Sequence, residues 1–410
     1  MNYSLALRLV VGWTYFSALW RRLVLENKLD PEALGYVGEK FNHFYPNALF
    51  IKDIIEFFLL HPDLLWWKLT LFTIVEGIVG LFLILGLFTR ISSLVVVGLA
   101  CGILLGAGWL GTTCLDEWQA GILGMAGGLT MLFMGPGGFS LDQRFGIDEK
   151  LSKFNRFLKP NYFVVASLLL FGLTLYTNQV FHGGVWGKLH NKSVRPELEL
   201  TNLHVKDKAI GFTIMRTEGA DVYGSFIYRL EVFDLNTSEL VYEVSSDDWE
   251  NSEISINNSY IAKVKKHKFS MLAPLGAKAH ITIPIDTNLR EYSVKLTDIN
   301  GTSWGISTAD MKTLNDEKLK EQILGGEVLV LDVRSKEEFS KSHIRGSISL
   351  PLEDINENHE LISELKNSNR PIVVYCHTGV RAQKALNKLS ELGIESKNIG
   401  GLSFLKKILL

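Results

Sequence analysis

A cysteine with a glycine and then an arginine close behind it suits sulfur chemistry when the backbone bends around the thiol. Val373-Val374-Tyr375-Cys376-His377-Thr378-Gly379-Val380-Arg381-Ala382 has that spacing. Pro371 opens a short β-branched run that reaches Tyr375. Ala382, Ala385, Leu386, Leu389 and Leu392 then recur at helical spacing until Gly393. The pattern predicts strand, loop and helix, with Cys376 at the end of a buried strand and the loop entering a helix N-terminus. Successive N–H groups and the Arg381 charge in such a loop lower a thiol pKa and cradle a small anion. A thiolate inside an anion nest is suited to taking sulfane sulfur from an anionic donor, with His377, Thr378, Gly379 and Val380 lining the nest.

Further candidates lie in the apolar half of the chain. Trp109-Leu-Gly-Thr-Thr-Cys114-Leu-Asp116-Glu117-Trp118 is a short turn that sets a cysteine beside two carboxylates and two tryptophans. Phe181-His182-Gly183-Gly184-Val185-Trp186-Gly187-Lys188-Leu189-His190-Asn191 offers two histidines, a lysine and an indole on a glycine-freed backbone. His182 and His190, eight apart, make no metal-ligand spacing, so no metal is expected. Glu76 falls among Phe72, Ile74, Val75, Ile78 and Val79, where an ionisable side chain is costly and functional by default. Arg8 is its expected partner. For each site a bland alternative stands: inert packing for Cys114, a juxtamembrane linker for 181–191, a structural ion pair for Glu76. Cys101, among leucine, glycine and alanine, is read as packing.

These residues need elements to hold them. The chain has 410 residues, a formal charge of −2 and three cysteines, which are too few and too scattered for a disulfide framework or a zinc site. The charge balance suggests no nucleic-acid partner. Leu5 to Leu25, Trp66 to Phe88, Ile91 to Leu110 and Trp118 to Met134 read as transmembrane spans packed by small residues into a bundle, and Tyr162 to Val180 as a fifth span. Leu5 to Leu25 lacks a signal-peptide cleavage pattern and is read as retained. Arg144, Lys150, Lys153, Arg156 and Lys159 between spans four and five, with Arg90, predict a cytoplasmic side. The acidic loop 26–65, the turn 111–117 and everything after Val180 then lie outside. Arg21 and Arg22 break that charge rule, and an anion bound there would account for them. Alternating runs such as Phe226 to Leu235 and Ala279 to Ile285 predict a small β-sandwich. The fold class is therefore a multidomain membrane protein. It divides into a four-helix transmembrane domain (1–145), a cytoplasmic loop and fifth helix (146–190), an extracytoplasmic β-sandwich (191–304) and an α/β domain (305–410).

The last hundred residues resemble a single-domain rhodanese. Val328-Leu-Val-Leu-Asp332-Val-Arg334 matches the family's first signature strand, and Glu338-Phe339 with His343-Ile344-Arg345-Gly346-Ser347 its second element, although Ser342 replaces a usual glycine. Cys376 to Arg381 has the family's six-residue loop, and Gly400-Gly401 the closing pair, with Phe404 in place of tryptophan. The resemblance implies a persulfide on Cys376, anion binding by Arg381, and bracing of the loop by Asp332 and Arg334. The bundle with its Gly111-Thr-Thr-Cys114-Leu-Asp-Glu-Trp-Gln turn resembles the larger, DoxD-type (DoxX-like) subunit of thiosulfate:quinone oxidoreductase. The fifth span, the 181–191 segment and the β-domain resemble the DoxA-type subunit. Together these imply oxidation of thiosulfate outside the cytoplasm, to tetrathionate or with diversion of the sulfane sulfur, and transfer of electrons to membrane quinone.

Two thiosulfate dianions repel, so coupling them needs the positive charge that Arg21, Arg22, His182, Lys188 and His190 could supply at one outer surface. Cys114 could hold one thiosulfate covalently while a second attacks. Quinone would approach Trp109 and Trp118, with Glu76, Asp116 or Glu117 handling protons. Quinone enters as the electron-accepting substrate; no tightly bound cofactor is evident, since no dinucleotide fingerprint or cysteine cluster occurs. The expected partners are thiosulfate, quinone and the lipid bilayer, with a homo-oligomer left open, and the expected location is the inner membrane with the β- and rhodanese-like domains periplasmic. A membrane-anchored sulfurtransferase without redox role and a sulfur-anion transporter are the alternatives.

Overall fold

The computed structural model of the protein describes residues 4–33, 35–107, 117–147, 158–182, 185–187, 196–206, 208–219, 225–285, 290–314 and 316–409. In the apolar half, α1 (Leu5–Leu19) winds on without a break as a π-helical segment, Trp20–Leu25. Short α2 (Glu39–Phe44) and α3 (Lys52–Leu60) follow. The longer α4 (Pro62–Leu85), α5 (Thr89–Ala107) and α6 (Glu117–Met134) come next, then α7 (Leu141–Arg144) and α8 (Pro160–His182). Among the described residues three helices, Pro62–Leu85, Thr89–Gly106 and Pro160–Gln179, are long and apolar enough to cross a bilayer; Trp118–Met134 is apolar but shorter. Trp13, Leu71, Leu123, Leu168 and Leu169 point outward, an arrangement that hydrocarbon tolerates and water does not. Tyr15, Val79, Leu83, Val96 and Met131 close the centre of the bundle.

Helices α1 and α4 approach through glycine. A Cβ on Gly80 would stand 2.4 Å from the Phe16 nitrogen, and one on Gly77 2.2 Å from Leu19. This antiparallel register sets the level of every other residue on the pair, and it corrects the expected partnership of Glu76 with Arg8. Leu19 lies beside Gly77, so the next turn of the first span brings Arg22 to Glu76: Nη1 donates to Oε2 at 2.5 Å and to Thr73 Oγ1 at 3.1 Å. Arg8, more than three turns earlier, is buried beside Gly86 and donates from Nη2 to the Phe139 carbonyl at 2.5 Å.

The central region is β structure with β1 (Glu197–Lys206), β2 (Ala209–Glu218), β3 (Ser225–Asp234), β4 (Leu240–Ser245), β5 (Ser255–Asn258), β6 (Lys265–His267), β7 (Ser270–Ala273), β8 (Lys278–Pro284), β9 (Tyr292–Asp298) and β10 (Ser303–Ser307). One antiparallel sheet has the order β1-β2-β8-β5, and a second runs β10-β9-β3-β7-β6 with β4 also on β3. Strict alternation in β8 sends Ala279, Ile281 and Ile283 inward. They share one core with Leu230, Val232, Trp249, Val294, Trp304 and Ile306 of the second sheet and its connections.

This domain sits on the loop between the first two long helices. Buried Asn42 donates from Nδ2 to the Gly276 carbonyl (3.1 Å) and accepts the Ala262 N–H at Oδ1 (3.1 Å). The Tyr260 hydroxyl donates to Glu56, and its ring meets Tyr45 edge-on at 5.5 Å. That hydrogen bond holds the Glu56 carboxyl below the usual carboxylate range. Gly276 has φ +71°, and a Cβ there would stand 1.8 Å from the Asn42 carbonyl oxygen. Gly276→Ala is expected to cost about 2 kcal/mol through its left-handed backbone alone, and more through lost docking. Gly301→Ala, with φ +80° but open space around it, is the control. A larger fall in Tm for Gly276→Ala in detergent measures the docking contact, and equal falls would show that the contact contributes nothing.

The C-terminal region opens with α9 (Thr308–Leu314) and α10 (Glu317–Leu324). It continues through β11 (Leu329–Asp332), α11 (Lys336–Lys341), β12 (Ile348–Ser349) and α12 (Glu360–Lys366). Last come β13 (Ile372–Cys376), α13 (Val380–Glu391), β14 (Lys397–Gly401) and α14 (Leu402–Leu409). The sheet is parallel in the order β12-β11-β13-β14. Every residue of β13 is buried, as a strand covered on both faces must be.

Candidate functional site

Cys376 ends β13, Gly379 turns the chain at φ +87°, and α13 begins at Val380. The left-handed turn aims the Gly379 N–H back at the sulfur, 3.1 Å from Sγ. The N–H groups of Ala382, Thr378 and Gly379 and the charge of Arg381 all favour the thiolate, yet Cys376 is 1% exposed and its burial outweighs them. Burial therefore pushes the thiol up, which corrects the expected lowering. The nest is present, but it works on a sulfur closed off from water.

Arg381 is held by a partner that the sequence reading treated only as part of a motif. Its guanidinium forks onto Glu338, Nη1 to Oε2 at 2.6 Å and Nη2 to Oε1 at 2.8 Å. That pairing pulls the Glu338 carboxyl down to about 2 and raises Arg381. Glu338 also completes a capping box on α11 with Ser335, and the Ser-x-x-Glu spacing was the signal available for it. Asp332 and Arg334 pair at 2.6 and 2.9 Å at the end of β11, and Arg334 Nη2 donates to the Ser342 carbonyl at 2.6 Å. The Arg334 guanidinium lies 5.8 Å from the Tyr375 ring centre, and the Tyr375 hydroxyl accepts the Ile344 N–H at 3.1 Å. The pair thus ties the 342–347 segment to the strand that carries Cys376.

The other wall of the loop comes from the β-domain, which sequence reasoning missed. His377 Nε2 is 2.6 Å from the Ser303 carbonyl. A carbonyl only accepts, so Nε2 carries the proton, and burial lowers the ring's pKa. Ser293 Oγ donates to the Thr378 carbonyl at 2.7 Å. Asp310, fully enclosed, accepts the Ser307 N–H (2.6 Å), the Ser307 hydroxyl (2.7 Å) and the Gly401 N–H (2.6 Å). Burial still pushes its carboxyl up to about 7 against those donors. The capping pattern Ser307-x-x-Asp310 marked a helix start in sequence, but nothing there pointed to Gly401.

The structure gathers Cys376, His377, Thr378, Gly379, Val380, Arg381, Asp332 and Arg334 in one region of the C-terminal domain. In the membrane half, Arg22 is turned inward to Glu76, while Arg21 Nε donates to the Ser17 carbonyl at 3.3 Å. Trp118 is buried with Leu104, against Leu49, Ile122 and Met125. Trp109, Cys114, Asp116, Lys188 and His190 lie outside the described residues, and Glu117 and His182 are described by backbone alone.

Three family models match successive parts of the chain. Residues 3–171 match the family model "TQO small subunit DoxD", 181–307 match "TQO small subunit DoxA", and 315–403 match "Rhodanese-like domain". Both Dox models are described as small subunits of TQO, and the DoxD-matched region is the longer of the two. Thiosulfate sulfurtransferase PspE of Escherichia coli K12 is 33% identical over 73 residues, covering 18% of this chain and 68% of PspE. Adenylyltransferase and sulfurtransferase UBA4 of Yarrowia lipolytica is 34% identical over 80 residues, and the chain spans 20% of its length. The solved structure "rhodanese with anions from E. coli" is 31% identical over 18% of this chain and 88% of that one, with a TM-score of 0.17. The chain therefore joins a DoxD-family region and a DoxA-family region of TQO in one polypeptide with a C-terminal rhodanese-like domain.

Proposed function

We propose that the chain is a membrane thiosulfate:quinone oxidoreductase whose rhodanese-like domain carries sulfane sulfur on Cys376. The observation that carries this reading is the order of the three family regions in one chain, with the Cys376 loop resting on strands of the DoxA region. In sulfur transfer, the Cys376 thiolate attacks the outer sulfur of thiosulfate. The S–S bond to the sulfonate breaks, sulfite leaves, and a persulfide remains. In oxidation, two thiosulfates join through a new S–S bond to give tetrathionate, and the two electrons released reduce one quinone, which takes up two protons.

The finer assignments belong to the same reading. Five spans place residues 1–145 and 146–190 in and around the membrane, with the β-sandwich, which β10 carries on to Ser307 rather than 304, and the rhodanese-like domain after it outside. Docking of the β-domain on Asn42 and Glu56 supports a shared side for it and the first outer loop. Cys114 is the proposed covalent holder of one thiosulfate. Arg21 is better placed than Arg22 to meet an anion, because Arg22 already neutralises Glu76.

The test mixes purified, detergent-solubilised protein with thiosulfate and a short-chain quinone and follows quinone absorbance, beside Cys376→Ser and Cys114→Ser. Reduction that survives loss of Cys376 but not of Cys114 places redox chemistry in the membrane half. Reduction lost with Cys376 makes the persulfide an obligatory intermediate. Absence of reduction in the parent protein, with thiocyanate still formed from thiosulfate and cyanide, would leave an anchored sulfurtransferase.

A further inference from the structure

Strand β10 is short, and its residues alternate in direction. Trp304 and Ile306 enter the β-domain core, so Ser303, Gly305 and Ser307 share the opposite face. Ser293 is paired with Ser307 across the ladder and belongs to the same face. All four contact the sulfur loop. The Ser303 carbonyl holds the His377 ring, and the Ser293 hydroxyl holds the Thr378 carbonyl. A Cβ on Gly305 would lie 2.3 Å from Thr378 Cγ2, and one on Gly379 2.9 Å from Ser307 Oγ. Behind them, Asp310 joins Ser307 to the N–H of Gly401, and Gly401 is the residue paired with Cys376 across β13 and β14.

We propose that the β9–β10 hairpin and Asp310 are specificity-determining parts of the sulfur-transfer site, which hold the loop shut over Cys376 and restrict its sulfur acceptors to small anions. This rests on the reading of Cys376 as a sulfur carrier. The hairpin's face is built from small residues, so it closes on Thr378 and Gly379, and Cys376 at the root of that loop is 1% exposed. Loading transfers one sulfur from thiosulfate and releases sulfite. Discharge to cyanide breaks the persulfide S–S bond, forms thiocyanate and returns the thiolate, with no oxidant or reductant required. A protein thiol performing the same attack must bring its own backbone up to the 376–381 loop, where the hairpin already lies against His377, Thr378 and Gly379. Ser293, Gly305 and Asp310 act through the loop, so they are positioning residues.

The test compares two acceptors on the full chain in detergent after loading with thiosulfate: cyanide, read as thiocyanate, and reduced thioredoxin as a bulky dithiol, read as released sulfide. Gly305→Val drives a side chain into Thr378. Ser293→Ala removes one hydrogen bond, and Asp310→Asn turns an amide NH2 toward N–H donors. The ratio of thioredoxin to cyanide turnover is expected to rise about tenfold in Gly305→Val, through the clash with Thr378, and in Asp310→Asn, and about threefold in Ser293→Ala, the last two in line with one or two lost hydrogen bonds. Alkylation of Cys376 by a bulky maleimide should accelerate in the same order. A merely structural role would depress both turnovers together and leave their ratio fixed, which would overturn the proposal, as would equal access of thioredoxin to the parent protein. Should the parent form no thiocyanate at all, the reading of Cys376 fails; maleimide access, which needs no turnover, still decides whether the hairpin closes the loop.

Discussion

Cys376→Ser is expected to lower thiocyanate formation from thiosulfate and cyanide on the order of a thousandfold or more, because a hydroxyl held in the same nest is a far weaker nucleophile toward sulfur. The parent protein should also show a distinctive pH dependence. Burial pushes the Cys376 thiol up, so the reactive thiolate is a minority species at neutral pH. The loading rate is then expected to climb with pH beyond about 8.5, where an ordinary cysteine levels off. Arg381→Ala removes a charge that favours the thiolate and should move the rise to still higher pH. A rate that levels off below pH ~8.5 would mean that the sulfur titrates in an opened loop.

The second large effect is expected at the membrane pair. Glu76→Ala leaves Arg22 facing Thr73 with no countercharge, and removal of one partner from a buried pair costs about 3 to 5 kcal/mol. Arg22 is partly exposed, with 21% of its side chain accessible against 6% for Glu76, so Arg22→Ala should cost more than Glu76→Ala, because it leaves the deeper charge unpaired. Thermal unfolding in detergent of both single variants and of Arg22→Ala/Glu76→Ala gives the pairwise energy. If the double variant is no more stable than the sum of the singles predicts, the two side chains are not coupled. Glu76→Gln separates structure from chemistry: lost quinone reduction at a near-parental Tm assigns Glu76 to proton delivery, whereas parallel losses assign it to packing.

The parts legible in sequence were those written locally. A β-branched run, a glycine and a helical repeat sufficed to place Cys376 between strand and helix. The bracing role of Asp332 and Arg334 came through the rhodanese resemblance, and their pairing with each other is local to the end of one strand. Three relations were not legible because they depend on how elements stack. Glu76 was assigned to Arg8 since both are charged and apolar-flanked, but the depth at which α1 and α4 meet is set by the contact of Gly80 with Phe16, which no periodicity reports. Glu338 meets Arg381 across 43 positions. The thiol's pKa direction was misjudged for the same reason: the loop's donors are visible in its own sequence, while the burial that outweighs them comes from a core that Leu331, Val333 and Leu350 build around Cys376 from other elements.

Ser307 closes β10 and its hydroxyl accepts the Asp310 N–H that opens α9, so the chain passes from one domain to the next through a capped corner with no slack. Separation of the sulfur loop from its cover is then a unimolecular event. Dilution cannot drive it, and reclosure competes with any acceptor at a rate independent of protein concentration. For a covalent fusion, unlike a pair of subunits, the residence time of the open state is set by the molecule itself, so the order in which acceptors capture sulfur follows their speed of arrival before their affinity.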